Sequence, residues 1–268
     1  MPWADAATSV AAYMPKDAKF SINFSCTTCT NQEKEESQVT TWDLAILKDA
    51  VRNKYGVEQE EKLIPPLNSV AQRGAFAKFH YFEAKRLLDA ATAAHADMGA
   101  KIVLMLGSDT ASVAFQQARF HAAAHVTACV QNMHSTADTL AHAVYFALGM
   151  NTNPSLCIKP RKINIWSIKD KNPVELIRKL LSELVDHDDF SYLNKLSNYS
   201  KHRSVVDIPY SVDVTTIDAP SGLKFAEFVY GNVKIPGRWA LPSLNAEYGR
   251  QSALIIEIGQ ALNSTLIA

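Results

Sequence analysis

Residues Ser108 to Met150 read SDTASVAFQQARFHAAAHVTACVQNMHSTADTLAHAVYFALGM, and no proline or glycine interrupts them before Gly149. Ala, Leu, Gln and Met are favourable in helices and dominate the stretch. Ser108 or Asp109 offers an N-cap for the first free backbone N–H groups, and Gly149 offers a left-handed stop. At about 1.5 Å per residue, one unbroken helix here would be about 60 Å long, more than most globular helices. The stretch predicts either the central rod of a helical bundle or two helices broken near Asn132–Ser135. Its alanines allow close approach of neighbouring helices, and a homodimer through this face is one of the partnerships considered.

Upstream, a helix fits Thr41 to about Tyr55, with Trp42, Leu44, Ala45, Leu47 and Val51 on its apolar face. EQEEKLIPPLNS then reads as a linker, because Pro65 and Pro66 are poorly suited to a helix interior. From Asn68 or Ser69 a second long helix is expected to run to roughly Met98, with Val70, Phe76, Phe79, Leu87 and Leu88 on a recurrent stripe. KIVLML (101–106) is ambiguous between strand and helical turn. FSINFSC (20–26) alternates like a short strand.

Downstream, INIWSI (163–168) reads as a strand or extended connection. Asn172–Pro173 opens a helix carrying Ile177, Leu180, Leu181 and Leu184. Asp188 or Asp189 caps a further helix that ends near SNYSKHR. SVVDIPYSVDVTTI and LKFAEFVY, joined by DAPSG, predict a β-hairpin; GNVKIPGRWALP reads as loop, and a last helix starts at Ser243 or Asn245. The expected fold is mainly α: a helical bundle with a long central helix and a small C-terminal β-hairpin. Its expected divisions are an N-terminal extension (1–66), the bundle (67–205), and a hairpin with C-terminal helix packed on the bundle (206–268).

Composition excludes several classes. At 268 residues, 47% hydrophobic and 20% charged, the chain has ample core material for a soluble globular protein. Formal net charge is zero, so no global field marks a polyanion or membrane binder. Residues 151–205 are mildly basic, with ten Lys and Arg against six Asp and Glu. No apolar run reaches the ~18 residues of a membrane span, and MPWADAATSV lacks a signal-peptide pattern, so a cytoplasmic location and no membrane partner are expected.

Several residue sets have chemistry to offer. Cys26-Thr-Thr-Cys29 is a CxxC without the second pair a structural zinc site needs. His121 and His125 lie one turn apart, as do Asp138 and His142, so each pair can offer two ligands to a metal if another helix supplies the rest. His134 and Asp138 lie about 100° or more around the helix from His121 and His125, and His142 lies about 100° from His125, so one site cannot use all five. No metal or other cofactor is assigned. The segment most suited to a ligand is Leu196-Ser-Asn-Tyr-Ser-Lys-His-Arg203. Asn198 shares a face with His202, and Tyr199 with Arg203. Lys201, His202 and Arg203 close the helix where its dipole favours cations. Such a set can hold a phosphate, with His202 as acid or base.

A bundle of long helices whose last core helix ends in Asn-x-x-Lys-His-Arg, followed by a β-hairpin, resembles the HEPN-type helical domains over about residues 68–230. The resemblance implies nucleotide binding, and in many members metal-independent ribonuclease activity in toxin–antitoxin or phage-defence systems. It implies His202 and Arg203 as catalytic groups, Asn198, Lys201 and Tyr199 as substrate-binding groups, and RNA or a nucleotide as partner. The usual signature is Arg, a polar residue, and a His a few positions beyond. Arg73…His80 and Arg119…His125 have suitable gaps, but Gly74 and Phe120 stand where the polar residue is expected. A non-catalytic interaction bundle and a metal-dependent enzyme using the helix histidines are the alternative readings.

Overall fold

The computed structural model describes residues 21–22, 41–95, 97–215 and 220–268. Cys26 and Cys29 lie outside the described residues, as does most of the stretch expected to form the first strand. The architecture is the expected one, mainly helical, with small β elements before the last helix.

The central stretch is a single helix, α4 (Thr110–Ala147), with no break near Asn132–Ser135. Asp109 caps it by accepting from Ser112 N at 2.7 Å, and Gly149 follows in the left-handed region at φ 60°. Against α4 lies α2 (Val57–Thr92), antiparallel to it. The direction follows from the contacts: Gln59 Nε2 donates to Phe146 O at 2.6 Å, whereas His80 meets His125. These two helices form the backbone of the molecule.

The start of α2 corrects the expected linker. Pro65 and Pro66 sit inside the helix, not between helices, and α2 runs unbroken across the expected boundary at residue 66. Each proline deprives the carbonyl four residues earlier of its donor. Those carbonyls belong to Glu61 and Lys62, which are exposed and so can be satisfied by water.

Preceding α2 is α1 (Leu44–Tyr55), capped by Asp43, whose carboxylate accepts from Ala45 N and Ile46 N. Two-residue strands β1 (Ser21–Ile22) and β2 (Trp42–Asp43) pair antiparallel just before it. KIVLML belongs to a helix, α3 (Met98–Leu106), capped by Asp97 and bent by 88° from α4.

After α4 come α5 (Ile165–Lys171), α6 (Glu175–Val185) and α7 (Asp188–His202). The residues expected to be extended at 163–168 instead begin α5. Asn164 and Ser167 form a reciprocal capping box, each side chain accepting from the other's backbone N–H. Pro173 precedes α6 rather than opening it, and Asn172 Oδ1 accepts from Val174 N.

Two hairpins stand where one was expected. β3 (Tyr210–Val212) pairs with β4 (Ser221–Leu223), and β5 (Phe228–Tyr230) pairs with β6 (Val233–Ile235). The second closes at Gly231-Asn232, with Gly231 at φ 64°, inside the sequence read as loop. The last helix, α8 (Ala240–Ile267), starts three residues earlier than Ser243 and packs on α1, α6, α4 and α2. No single helix among the described residues is long and apolar enough to cross a membrane.

Candidate functional site

The face of α7 that recurs at three- and four-residue steps through Asn194, Ser197, Asn198 and Lys201 lies against Gln131, His134 and Asp138 of α4. Ser197 Oγ donates to Gln131 Oε1 at 3.0 Å. Asn194 Oδ1 is the hub of a short network. It accepts from Asn198 Nδ2 at 2.7 Å and from His134 Nε2 at 2.9 Å. An amide oxygen only accepts, so His134 carries its proton on Nε2 and presents a lone pair at Nδ1. Lys201 Nζ lies 3.4 Å from that Nδ1, a long hydrogen bond.

The electrostatics agree with this assignment. His134 is only 5% exposed and stacks nearly parallel to the Phe190 ring. Burial pushes its pKa down; the Asn194 bond and Asp138 oppose, while Lys201 adds to the depression. Lys201 is held below the usual ammonium range first by desolvation, with Arg73 of α2 adding to this and Asp138 opposing it. Two cations from α2 and α7 therefore face one carboxylate beside a neutral imidazole.

A pH prediction follows. A histidine whose folded pKa lies below its unfolded value of ~6.5 binds fewer protons when folded as the pH falls through that value. Its stabilising contribution is complete above about pH 6.5 and is lost progressively below it. His80 and His142 are depressed in the same direction, both chiefly by burial. The melting temperature is expected to fall between pH 7.5 and 5.5, and to fall less in His134→Gln. Equal slopes in the two proteins would remove His134 as a source.

The expected ligand segment is split by the helix that carries it. Asn198 and Lys201 face α4, but Tyr199 and Arg203 face the second hairpin. The Tyr199 ring lies 5.1 Å from that of Phe228, and Arg203 sits 5.9 Å from the ring centres of both Tyr199 and Tyr230. His202 is exposed as the last residue of α7. His202 and Arg203 thus do not converge with Lys201. Three of the seven cations in the basic stretch Lys159–Lys179 are paired with carboxylates: Lys169 with Asp186 at 3.0 Å, Arg178 with Glu175, and Lys179 with Glu183 at 3.9 Å.

Further along the same stripe of α4, one turn before Gln131, a cavity of about 680 Å³ opens between the helix and residues 205–209. Its walls are apolar: Phe120, Ala123 and Ala124 from α4, Val206, Ile208 and Pro209 from the segment that follows α7. Arg119 lines it too, and its Nε is buried with no hydrogen-bond partner among the described residues. Asp207 contributes the other charge.

His187, Asp189 and Glu247 bring donor atoms within 4.8 Å of one another, the only such trio among the described residues. Their charge is already met, since Arg238 bonds Asp189 at 2.7 Å and Arg250 grips both oxygens of Glu247 at 2.7 and 2.8 Å. Asp138, a possible ligand with His142 in sequence, lies near Lys201, whose ammonium would repel a metal. Cys129 is buried and its thiol is pushed up to about 12 by desolvation, so it stays protonated.

His134, Asn194 and Arg119 carry most of this geometry and none was singled out in sequence as a ligand-binding residue. For His134 and Asn194 no local signal exists, as they meet only when α7 docks. Arg119 stood out only for its spacing to His125. Comparison with protein-family models, with curated proteins and with solved structures finds no match to this chain.

Proposed function

We propose that this protein binds a nucleotide-sized anionic ligand in the cavity between α4 and residues 205–209, without requiring catalysis. The observation that carries the reading is the Arg119 guanidinium, whose shielded Nε has no partner among the described residues, at the wall of a largely apolar cavity of about 680 Å³. That size is within the range of small-molecule sites, which are apolar with a few placed polar groups. A buried donor left unmade costs ~1–3 kcal/mol, and a phosphate or carboxylate would recover that and more through a charge-assisted bond. Phe120 and Pro209 offer flat and apolar surfaces to a base. One guanidinium in a cavity of this size suits a mononucleotide better than a long RNA, whose binding draws on many cations.

The test is calorimetric titration of metal-free protein with AMP, GMP and a short oligoribonucleotide. The expected result is mononucleotide binding that weakens at least ~10-fold in Arg119→Ala, the loss of one charged hydrogen bond. Unchanged affinity in that variant, or no binding at all, rejects the reading. RNA cleavage by metal-free protein that disappears in His202→Ala would instead restore the ribonuclease expectation. Self-association is a second reading, favoured by Phe76, Phe79 and Phe120, which are 51%, 55% and 70% exposed along the α2–α4 pair. A sedimentation-derived mass of one chain at all concentrations would exclude it.

A further inference from the structure

Two imidazoles from different helices meet on the α2–α4 pair. His80 Nδ1 and His125 Nδ1 are 2.9 Å apart, with ring centres at 5.1 Å, and Phe79 packs edge-on against both rings. At that separation one Nδ1–H donates into the lone pair of the other, so both lone-pair directions converge on one point. Both residues are half-buried, reachable from solvent and yet fixed by their neighbours. Imidazole ligates a metal in its neutral form.

A metal bound to both nitrogens would replace the shared proton and sit off the N···N line, which takes a turn of each ring. Two nitrogens bound at ~2.0–2.1 Å and subtending a right angle are about 2.9 Å apart, whereas a tetrahedral pair is about 3.4 Å apart. The observed separation equals that of a tetragonal Cu2+ or Ni2+ donor pair, so these ions need only a turn of the two rings, whereas Zn2+ also needs a parting of about half an ångström.

Two further donors flank the pair. His121 stands one turn before His125 and is exposed. Glu83 follows His80 by three residues, and because the helices are antiparallel it comes level with His121. Its carboxyl is held low first by the Arg86 hydrogen bond, with His125 near enough to contribute. Among the described residues no third His, Cys, Asp or Glu donor lies within 4.8 Å of both Nδ1 atoms, so completing the set takes rotamer changes. Those changes are cheap: Arg86, which holds Glu83 at 2.8 Å, is 63% exposed, and such surface pairs are weak.

We propose that His80 and His125, flanked by His121 and Glu83, form an interhelical site for a borderline divalent metal ion (Cu2+, Ni2+ or Zn2+) that clasps α2 to α4. The site is separate from the Arg119 cavity and stands or falls independently of it.

The test is titration of untagged, metal-free protein with Ni2+ and Zn2+, followed by calorimetry and by the thermal melt. One ion per chain should bind and raise the melting temperature, since it binds the folded state selectively. His80→Ala and His125→Ala should each lose more than the ~10–100-fold that removal of an outer-shell partner costs. His80→Asn, which keeps an interhelical hydrogen bond, serves if truncation unfolds the pair. Substituting Co2+ separates this site from Cys26 and Cys29, because sulfur ligation adds an intense charge-transfer band that nitrogen and oxygen donors lack. Failure of both Ni2+ and Zn2+ to bind, equal affinity in the His80 variants, or a sulfur-type Co2+ spectrum overturns the proposal.

Discussion

Gly259→Ala is expected to lower the melting temperature by roughly 5–15 °C, from a net loss of about 2–4 kcal/mol. Alanine ordinarily gains ~1 kcal/mol over glycine in a helix interior. Here the new methyl would lie 2.1–2.4 Å from three atoms of the Trp42 indole, inside any van der Waals contact. Trp42 is fully buried and cannot swing into solvent. Nor can the strand retreat, because the same face of α8 holds it through the backbone. Asn263 Nδ2 donates to Asp43 O at 2.9 Å, and Gln260 Nε2 donates to Thr41 O at 3.2 Å. The strain must then be taken by separation of α8 from the α1 end of the molecule. Calorimetric melting checks the loss, and the Trp42→Phe background should reduce it, since a smaller ring leaves room for the methyl. A cycle in which the two substitutions add without interaction would show that the indole is not what the methyl meets.

The elements legible in the sequence were those whose signals are local. Asp109 and Gly149 bound α4 in the structure as their chemistry predicts, and no breaker lies between them. Local signals misled where a different local fact outweighed them. Pro65 and Pro66 remove two helix donors, yet the carbonyls they strand face water, so α2 continues. INIWSI carries alternation enough for a strand, but Asn164 and Ser167 satisfy each other's backbone donors and start a helix. Gly231-Asn232 is a two-residue hairpin signal that was present in the sequence and read as loop.

The candidate sites were legible only in halves. Asn198 and Lys201 are three apart and share a face, but their partner His134 is 67 residues away from Lys201 in the chain. Tyr199 and Arg203 share a different face, about 100° around α7, which is why one short motif serves two neighbours. Spacing joins His125 to His121, but only antiparallel pairing of α2 with α4 brings His80 to His125. Spacing shows which side chains share a helix face; which helix covers that face depends on contacts far apart in sequence.

Arg250→Ala is expected to cost about 3–5 kcal/mol, the price of leaving a buried charge uncompensated. Glu247 is 2% exposed, and Arg250 supplies two of its hydrogen bonds, with Gln251 Nε2 giving a third at 2.7 Å. The same guanidinium donates to Glu183 O at 2.8 Å and Leu184 O at 2.9 Å, carbonyls at the C-terminal end of α6 that have no helical partner. One side chain thus neutralises α8 and closes α6. Its removal also leaves the Glu247 and Asp189 carboxylates, within 4.8 Å of each other, with Arg238 as the remaining cation. Repulsion between them then loosens the contact of α7 with α8. Arg250→Lys is expected to rescue little, because an ammonium cannot span four acceptors in one plane. Pairing Arg250→Met with Glu247→Gln should restore a large part of the loss, since the charge that needed an answer is gone. Denaturant unfolding of the single and double variants decides the point: a double variant as unstable as Arg250→Ala would place the cost in the α6 carbonyls and not in Glu247.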